Sequence, residues 1–342
     1  MPGSSWVNVI LLVSREAVAS LPWPLIVPAL LEVIDVAEEV VLLDRYYLYK
    51  VCDFIVTSEF ELSELSPISE FPAGLSEVRI MRAEIAKTLP DATRFGWIEA
   101  NRTSCLFKIN DTARLRVIEG RRIEIEPGQL SPREIGAYII GCGLPILAHM
   151  RRYVPLHIGM ASTPYGVVMF TGPSGAGKST AVAALSRRLG WQLLCDDICI
   201  ITPAAQPPTA YCDVNKIKLW SSAVEELGYD AAVLESDLIR PQKFHLAVAP
   251  GSSVDVSEVR AVFKLSWANE AALCPISRPL IFETLMNSVH APFLVPVLGE
   301  LDVIRTLLSS IASSAKGFQL QRDKSAGSIA TQIDLVQAAL TQ

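Results

Sequence analysis

The hydrophobic pattern changes period along the chain, and each change marks an element. Residues 51–60 (VCDFIVTSEF) are rich in β-branched and aromatic side chains and predict one strand. Residues 106–109 (LFKI) predict the next. Arg114-Leu115-Arg116-Val117 and Arg122-Ile123-Glu124-Ile125 alternate polar and apolar on either side of Glu119-Gly120, the pattern of a β-hairpin with one buried face. The period then lengthens. Ser131-Pro132-Arg133-Glu134 is a capping box with proline at the first helical position. It predicts a helix to about Met150, apolar enough to be buried and kinked near Pro145. Residues 166–171 (GVVMFT) are an unbroken apolar run of the kind that forms a central strand. A helix follows over 178–189, with Val182, Leu185 and Leu189 on one face and Gly190 as its C-cap. Residues 192–194 read as a strand leading into Asp196-Asp197, and apolar character resumes over 198–201. A Pro/Ala loop spans 203–210, and residues 329–340 predict a closing helix.

A chain of 342 residues suits two domains. The period change places the boundary at the long helix: an α+β domain over 1–150, then a second domain over 151–342. Half the residues are hydrophobic and 19% are charged, which excludes a largely disordered chain. The net charge is −6, with no basic stripe, so nucleic acid is not an expected partner. The apolar beginning at 7–13 is broken by Ser14-Arg15-Glu16, and 21–36 carries Glu32, Asp35 and three prolines. Neither provides the about 20 apolar residues of a membrane span, and a buried core helix is the better reading of the second. No signal-peptide pattern opens the chain, so the expected location is cytoplasmic. Cysteines stand at 52, 105, 142, 195, 199, 212 and 274. None belongs to a metal-ligand spacing, and all read as free thiols in a reducing compartment.

The strongest chemistry lies at Gly172-Pro173-Ser174-Gly175-Ala176-Gly177-Lys178-Ser179. A triphosphate is a cluster of oxyanions and needs many N–H donors at short range. Glycines let the backbone wrap closely, and a helix starting at Lys178 adds free N–H groups and a positive dipole end. Lys178 would reach the β- and γ-phosphates, and the Ser179 hydroxyl would hold Mg²⁺. A glycine-rich turn without a ligand is the plainer alternative. The apolar strand before the loop and the capped helix after it argue against that. The expected cofactors are therefore ATP and Mg²⁺.

Asp196 and Asp197 follow at the end of the next strand, where an acid can hold Mg²⁺ or accept a proton from an attacking hydroxyl. A surface turn is the competing reading. His157 lies ahead of the loop and on its own reads as structural. His149 ends the long helix, and His245 and His290 belong to no visible constellation. Lys216, Lys218, Arg240 and Lys243 are candidates for recognising an acceptor, or simply a solvated basic face.

Taken together, Leu156-His157, Tyr165-Gly166-Val167-Val168, the loop through Ser179, and Cys195-Asp196-Asp197 resemble the catalytic domain of HPr kinase/phosphorylase. The similarity is greatest to the HPr-kinase-like proteins encoded with lasso-peptide and other ribosomal-peptide gene clusters. Ser58-Glu59 with Leu62 and Leu65, and Leu219-Trp220, extend it. The close part covers about residues 155–202. The resemblance implies an α/β fold: a P-loop kinase core of the HPr kinase/phosphoenolpyruvate carboxykinase type, preceded by the α+β N-terminal domain. It implies a serine kinase in which the loop from Gly172 to Thr180 binds nucleotide and Ser179 and Asp197 hold metal. One of Asp196 and Asp197 is base toward a serine hydroxyl, and His157 lies near the transferred phosphate. Pro173 stands where the HPr enzymes carry an acid, and Thr180 where they carry a glutamate. Their glutamate-arginine-glycine segment is not visible after residue 202. HPr itself and the reverse reaction are therefore not carried over. The expected acceptor is a peptide or small protein, with the oligomeric state left open. A nucleotide-binding regulatory module without transfer is the alternative. A transport ATPase is disfavoured because no signature loop is visible.

Overall fold

The run Gly166–Thr171 is the centre of a six-stranded sheet in the computed structural model, and its alternate residues explain why. Val168 and Phe170 face one hydrophobic core, and Val167 and Met169 face another. A strand buried on both sides reads as continuous apolar sequence. The structure describes residues 46–203, 208–212, 215–237, 240–248, 253–298, 301–323 and 328–341. The apolar segments at 7–13 and 21–36 lie outside the described residues, as does part of the Pro/Ala loop. The architecture is mixed α/β, with several sheets and helices.

The first stretch builds an eight-stranded sheet from β1 (Tyr47–Val51), β2 (Phe54–Ser58), β3 (Ser76–Arg82), β4 (Thr93–Phe95), β5 (Ile98–Ala100), β6 (Ser104–Lys108), β7 (Arg114–Ile118) and β8 (Arg122–Glu126). Its order is β1-β2-β3-β8-β7-β6-β5-β4. The hairpin predicted about Glu119-Gly120 is β7–β8, and Arg116 on β7 faces Glu124 on β8. The single strand expected over 51–60 is instead two, β1 and β2, because the chain reverses at Cys52-Asp53 between the paired Val51 and Phe54. Cys52 takes φ 53°, a left-handed conformation usually left to Gly, Asn or Asp. A buried cysteine there gives no turn signal.

The capping box forms as expected. The Ser131 hydroxyl accepts from the Glu134 N–H at 3.3 Å, and Glu134 Oε2 accepts from the Ser131 N–H at 2.8 Å. The helix Pro132–Tyr138 runs through a π-turn at Ile139–Gly143 into Leu144–Met150. The irregularity expected at Pro145 is thus absorbed one turn earlier, where the wider turn accommodates the missing proline N–H. This helix and the sheet share a core that also takes in Ile200, Leu294 and Leu298 from later in the chain.

Three further sheets follow from β9 (Val154–Leu156), β10 (Gly159–Thr163), β11 (Gly166–Thr171), β12 (Gln192–Cys195), β13 (Cys199–Thr202), β14 (Thr209–Tyr211), β15 (Lys216–Trp220), β16 (Glu235–Ser236), β17 (Lys243–Ala247), β18 (Val254–Asp255), β19 (Val259–Trp267), β20 (Ala272–Pro275) and β21 (Lys316–Arg322). The central sheet has order β12-β10-β11-β19-β21-β20, with β11, β19 and β21 parallel. Although β12 follows β11 in sequence after one helix, β10 separates them in the sheet. Phe170, Phe263 and Phe318 stack across the three parallel strands at centroid distances of 5.2 and 5.3 Å. The helices Lys178–Leu189 and Ser328–Thr341 cover one face, and Arg278–Met286 and Leu301–Ser314 cover the other. The smaller sheets are β18-β14-β13-β9 and β15-β17-β16. The last is tied to the first stretch at two points. Lys218 Nζ lies 3.2 Å from Glu64, and Arg133 donates to the Ser236 carbonyl and pairs with Glu235 at 2.9 Å. Among the described residues no helix is long and apolar enough to cross a membrane. All seven cysteines are free thiols.

Candidate functional site

The glycine loop joins the C-terminal end of β11 to the helix Lys178–Leu189. Two glycines are required by space as well as by φ. At Gly172 (φ 141°) a Cβ would lie 2.8 Å from the Leu265 carbonyl oxygen, and at Gly177 (φ 91°) it would overlap the Arg322 guanidinium. The loop's carbonyls are tied back by neighbouring side chains. Lys178 Nζ donates to Gly172 at 3.0 Å and to Pro173 at 3.4 Å, Trp267 Nε1 to Gly175 at 3.1 Å, and Arg322 Nη1 to Ala176 at 2.8 Å. Tying back carbonyls is how a loop turns its N–H groups toward an anion. Trp267 and Arg322 end the parallel strands β19 and β21 as register partners, and the guanidinium stacks on the indole at 4.9 Å. Burial lowers the Arg322 pKa to about 10.

Strand pairing brings the other expected residues to the loop. β9 runs antiparallel to β13 with Leu156 opposite Cys199. That register sets His157, just after β9, beside Asp197, just before β13. Their side chains meet at 3.0 Å, His157 Nε2 to Asp197 Oδ1. The His157 backbone N–H is fixed on the Ser288 carbonyl at 2.7 Å. Asp197 adopts φ 85°, a strained conformation for a residue with a Cβ. Burial pulls its pKa up, but the hydrogen bond and charge of His157, together with Lys218 and Lys243, outweigh this and hold it at about 2. Its side chain remains about half exposed.

Asp196 is in the opposite situation. It is 5% exposed, and burial, then the charge of Asp197, raise its pKa to about 6. A hydrogen bond from Ser179 and one from the Lys218 backbone N–H at 3.4 Å partly compensate. The acid hydrogen-bonded to Ser179 is Asp196, while the resemblance implies Asp197 beside Ser179 at the metal. Lys178 is also buried, and desolvation lowers its pKa against the pull of both aspartates.

These residues open on one cavity of about 280 Å³, lined by the loop, Thr180, His157, both aspartates and a wall of Lys218, Trp220, Asp237, Arg240 and Lys243. Of the four basic candidates, Lys218, Arg240 and Lys243 line it, while Lys216 pairs with Glu235 at 3.4 Å. His245 supports the wall by a 3.0 Å contact with Asp237. His290 is half-buried near His157 and Asp197, and desolvation lowers its pKa. Trp267, Arg322 and the placing of these two histidines carry no local signal in the sequence. In the wall strand Ile217 and Leu219 are buried and alternate with Lys216, Lys218 and Trp220.

No protein-family model matches the chain, and no curated protein matches it. Among solved structures it is similar to the Hpr(Ser) kinase/phosphatase from Coxiella burnetii. The identity is 13% and the TM-score 0.28, over 54% of this chain and 89% of that one. With an overlap this partial, the functional reading rests on the residues of the cavity.

Proposed function

We propose that this chain is an ATP-dependent kinase that transfers the γ-phosphoryl group to a serine hydroxyl of a peptide or small protein. In this reading residues 151–342 form the catalytic domain, with residues 1–150 as the α+β domain before it. The observation that carries the reading is that the glycine loop with Lys178, the acidic pair and His157 line a single cavity. The loop from Gly172 to Thr180 cradles the phosphates, and Lys178 leaves its own loop carbonyls to meet the β- and γ-oxygens. Hydroxyl and carboxylate oxygens are the donors Mg²⁺ takes, and Ser179 and Asp196 are hydrogen-bonded neighbours, so this pair fits the ion and would hold it. When bound, Mg²⁺ neutralises charge on the β- and γ-oxygens. Asp197, at the open side and oriented by His157, takes the proton from the serine hydroxyl. As that proton leaves, the serine oxygen bonds to the γ-phosphorus and the bond from phosphorus to the ADP oxygen breaks. Positioning and charge complementarity supply most of the acceleration.

The test is mass spectrometry of candidate acceptors after incubation with ATP and Mg²⁺. HPr and peptides encoded beside the gene serve as acceptors, and Lys178→Ala as the control. One added phosphate on a serine, absent with the control, supports the kinase. ATP binding with no transfer to any acceptor sinks it in favour of a nucleotide-binding regulatory module.

A further inference from the structure

Trp220 is the only indole or phenyl ring in the lining of the cavity, among the described residues. It keeps 39% of its surface open, although its strand neighbours Leu219 and Ile217 are buried in the core. The ring is not loosely placed. Across the β15–β17 ladder its register partner is Lys243, whose ammonium sits 5.1 Å from the ring centroid. The helix that begins at Lys178 shares a core with β15, through Ala181, Leu185, Ile217 and Leu219. On the opposite face of β15, Trp220 lines the cavity together with Thr180 of that helix. Asp197 and His157 lie on the side of β9 and β13.

We infer that Trp220 is the nucleobase platform of the site. This rests on the nucleotide reading above and deepens it. The phosphate end of a nucleoside triphosphate is polar and finds its partners in the loop. The base is the one part of the ligand with a broad apolar face, and among the described residues Trp220 is the one broad apolar face in the cavity. Stacking on an indole holds any base, because every base has a π-face, so the subsite selects for a nucleoside rather than for adenine. Lys243 polarises the indole and lies within reach of the phosphate side. The wall therefore combines stacking with positive charge, as nucleotide grooves do.

The experiment compares ATP, GTP and inorganic triphosphate by calorimetry, each with Mg²⁺, on the wild type, Trp220→Ala and Trp220→Phe. The expected result is a loss of about tenfold or more in ATP and GTP affinity for Trp220→Ala, partial recovery in Trp220→Phe, and unchanged triphosphate affinity in both. The unchanged triphosphate affinity also shows that the variants are folded. Nucleotide affinity that does not change in Trp220→Ala overturns the assignment, as does an equal loss for ATP and triphosphate. A wild type that binds neither ligand removes the loop reading itself. That outcome is distinct from one in which triphosphate binds and the base adds nothing.

Discussion

Asp196→Asn should stabilise the metal-free protein at alkaline pH while removing its function. Unfolded, the Asp196 carboxyl has a pKa of 3.8; folded, burial and then Asp197 raise it to about 6. The folded chain thus binds the proton more tightly than the unfolded one. The stability associated with the neutral acid is intact below 3.8 and is lost as pH rises through about 6. At about 1.4 kcal/mol for each tenfold in proton affinity, the loss reaches about 3 kcal/mol by pH 8. Asparagine has the same shape and cannot ionise, so it avoids this loss. It still accepts from Ser179 through its carbonyl oxygen, but presents an amide to the Lys218 N–H, at a cost of about 1 kcal/mol. The net gain is about 2 kcal/mol, or about 3 °C in Tm for a chain of this size. Thermal melts followed by circular dichroism, with chelator present, measure it. At pH 8 the variant should melt above the wild type, and at pH 4 the advantage should vanish or reverse. Adding Mg²⁺ should raise the wild-type Tm and leave the variant unmoved. A variant that melts lower than the wild type at both pH values would refute the reasoning, because it would mean that Asp196 is stabilised as an anion.

Gly177→Ala would set a Cβ against the Arg322 guanidinium at a positive φ. It should cost about 1–3 kcal/mol and abolish triphosphate binding, read by melting and by calorimetry. Arg322→Met removes the 2.8 Å bond to the Ala176 carbonyl. Triphosphate affinity should fall by about tenfold while Tm falls by only a few degrees, since the bond holds the loop rather than the core. Phe263→Ala empties the middle of the aromatic stack and should destabilise the fold by about 3–5 kcal/mol in denaturant titration.

The glycine loop, its strand and its helix were legible because each is specified over a few adjacent residues. The φ values of Gly172 and Gly177, the apolar run of β11 and the Gly190 cap all belong to one continuous stretch. The capping box at Ser131 was legible for the same reason. The division of roles between Asp196 and Asp197 was not. It depends on β9 pairing with β13 to bring His157 to one acid, and on β15 bringing its backbone to the other. Trp267 and Arg322 sit at the ends of strands whose parallel register alone puts them behind the loop, and no local pattern carries that register. At Cys52 the difficulty was the reverse. Apolar, β-forming residues on both sides hide a turn made by a residue with no turn preference.

The cavity wall is braced by a distant stretch of chain. Lys218 draws its nearest carboxylate from Glu64, and Arg133 is bound to Ser236 and Glu235 beside that wall. The same join limits dissection. Residues 151–342 expressed alone would leave Lys218 with Asp237 at 3.8 Å but without Glu64, and would bare Ile200, Leu294 and Leu298 to water. Such a fragment would report on a cavity different from the one in the whole chain.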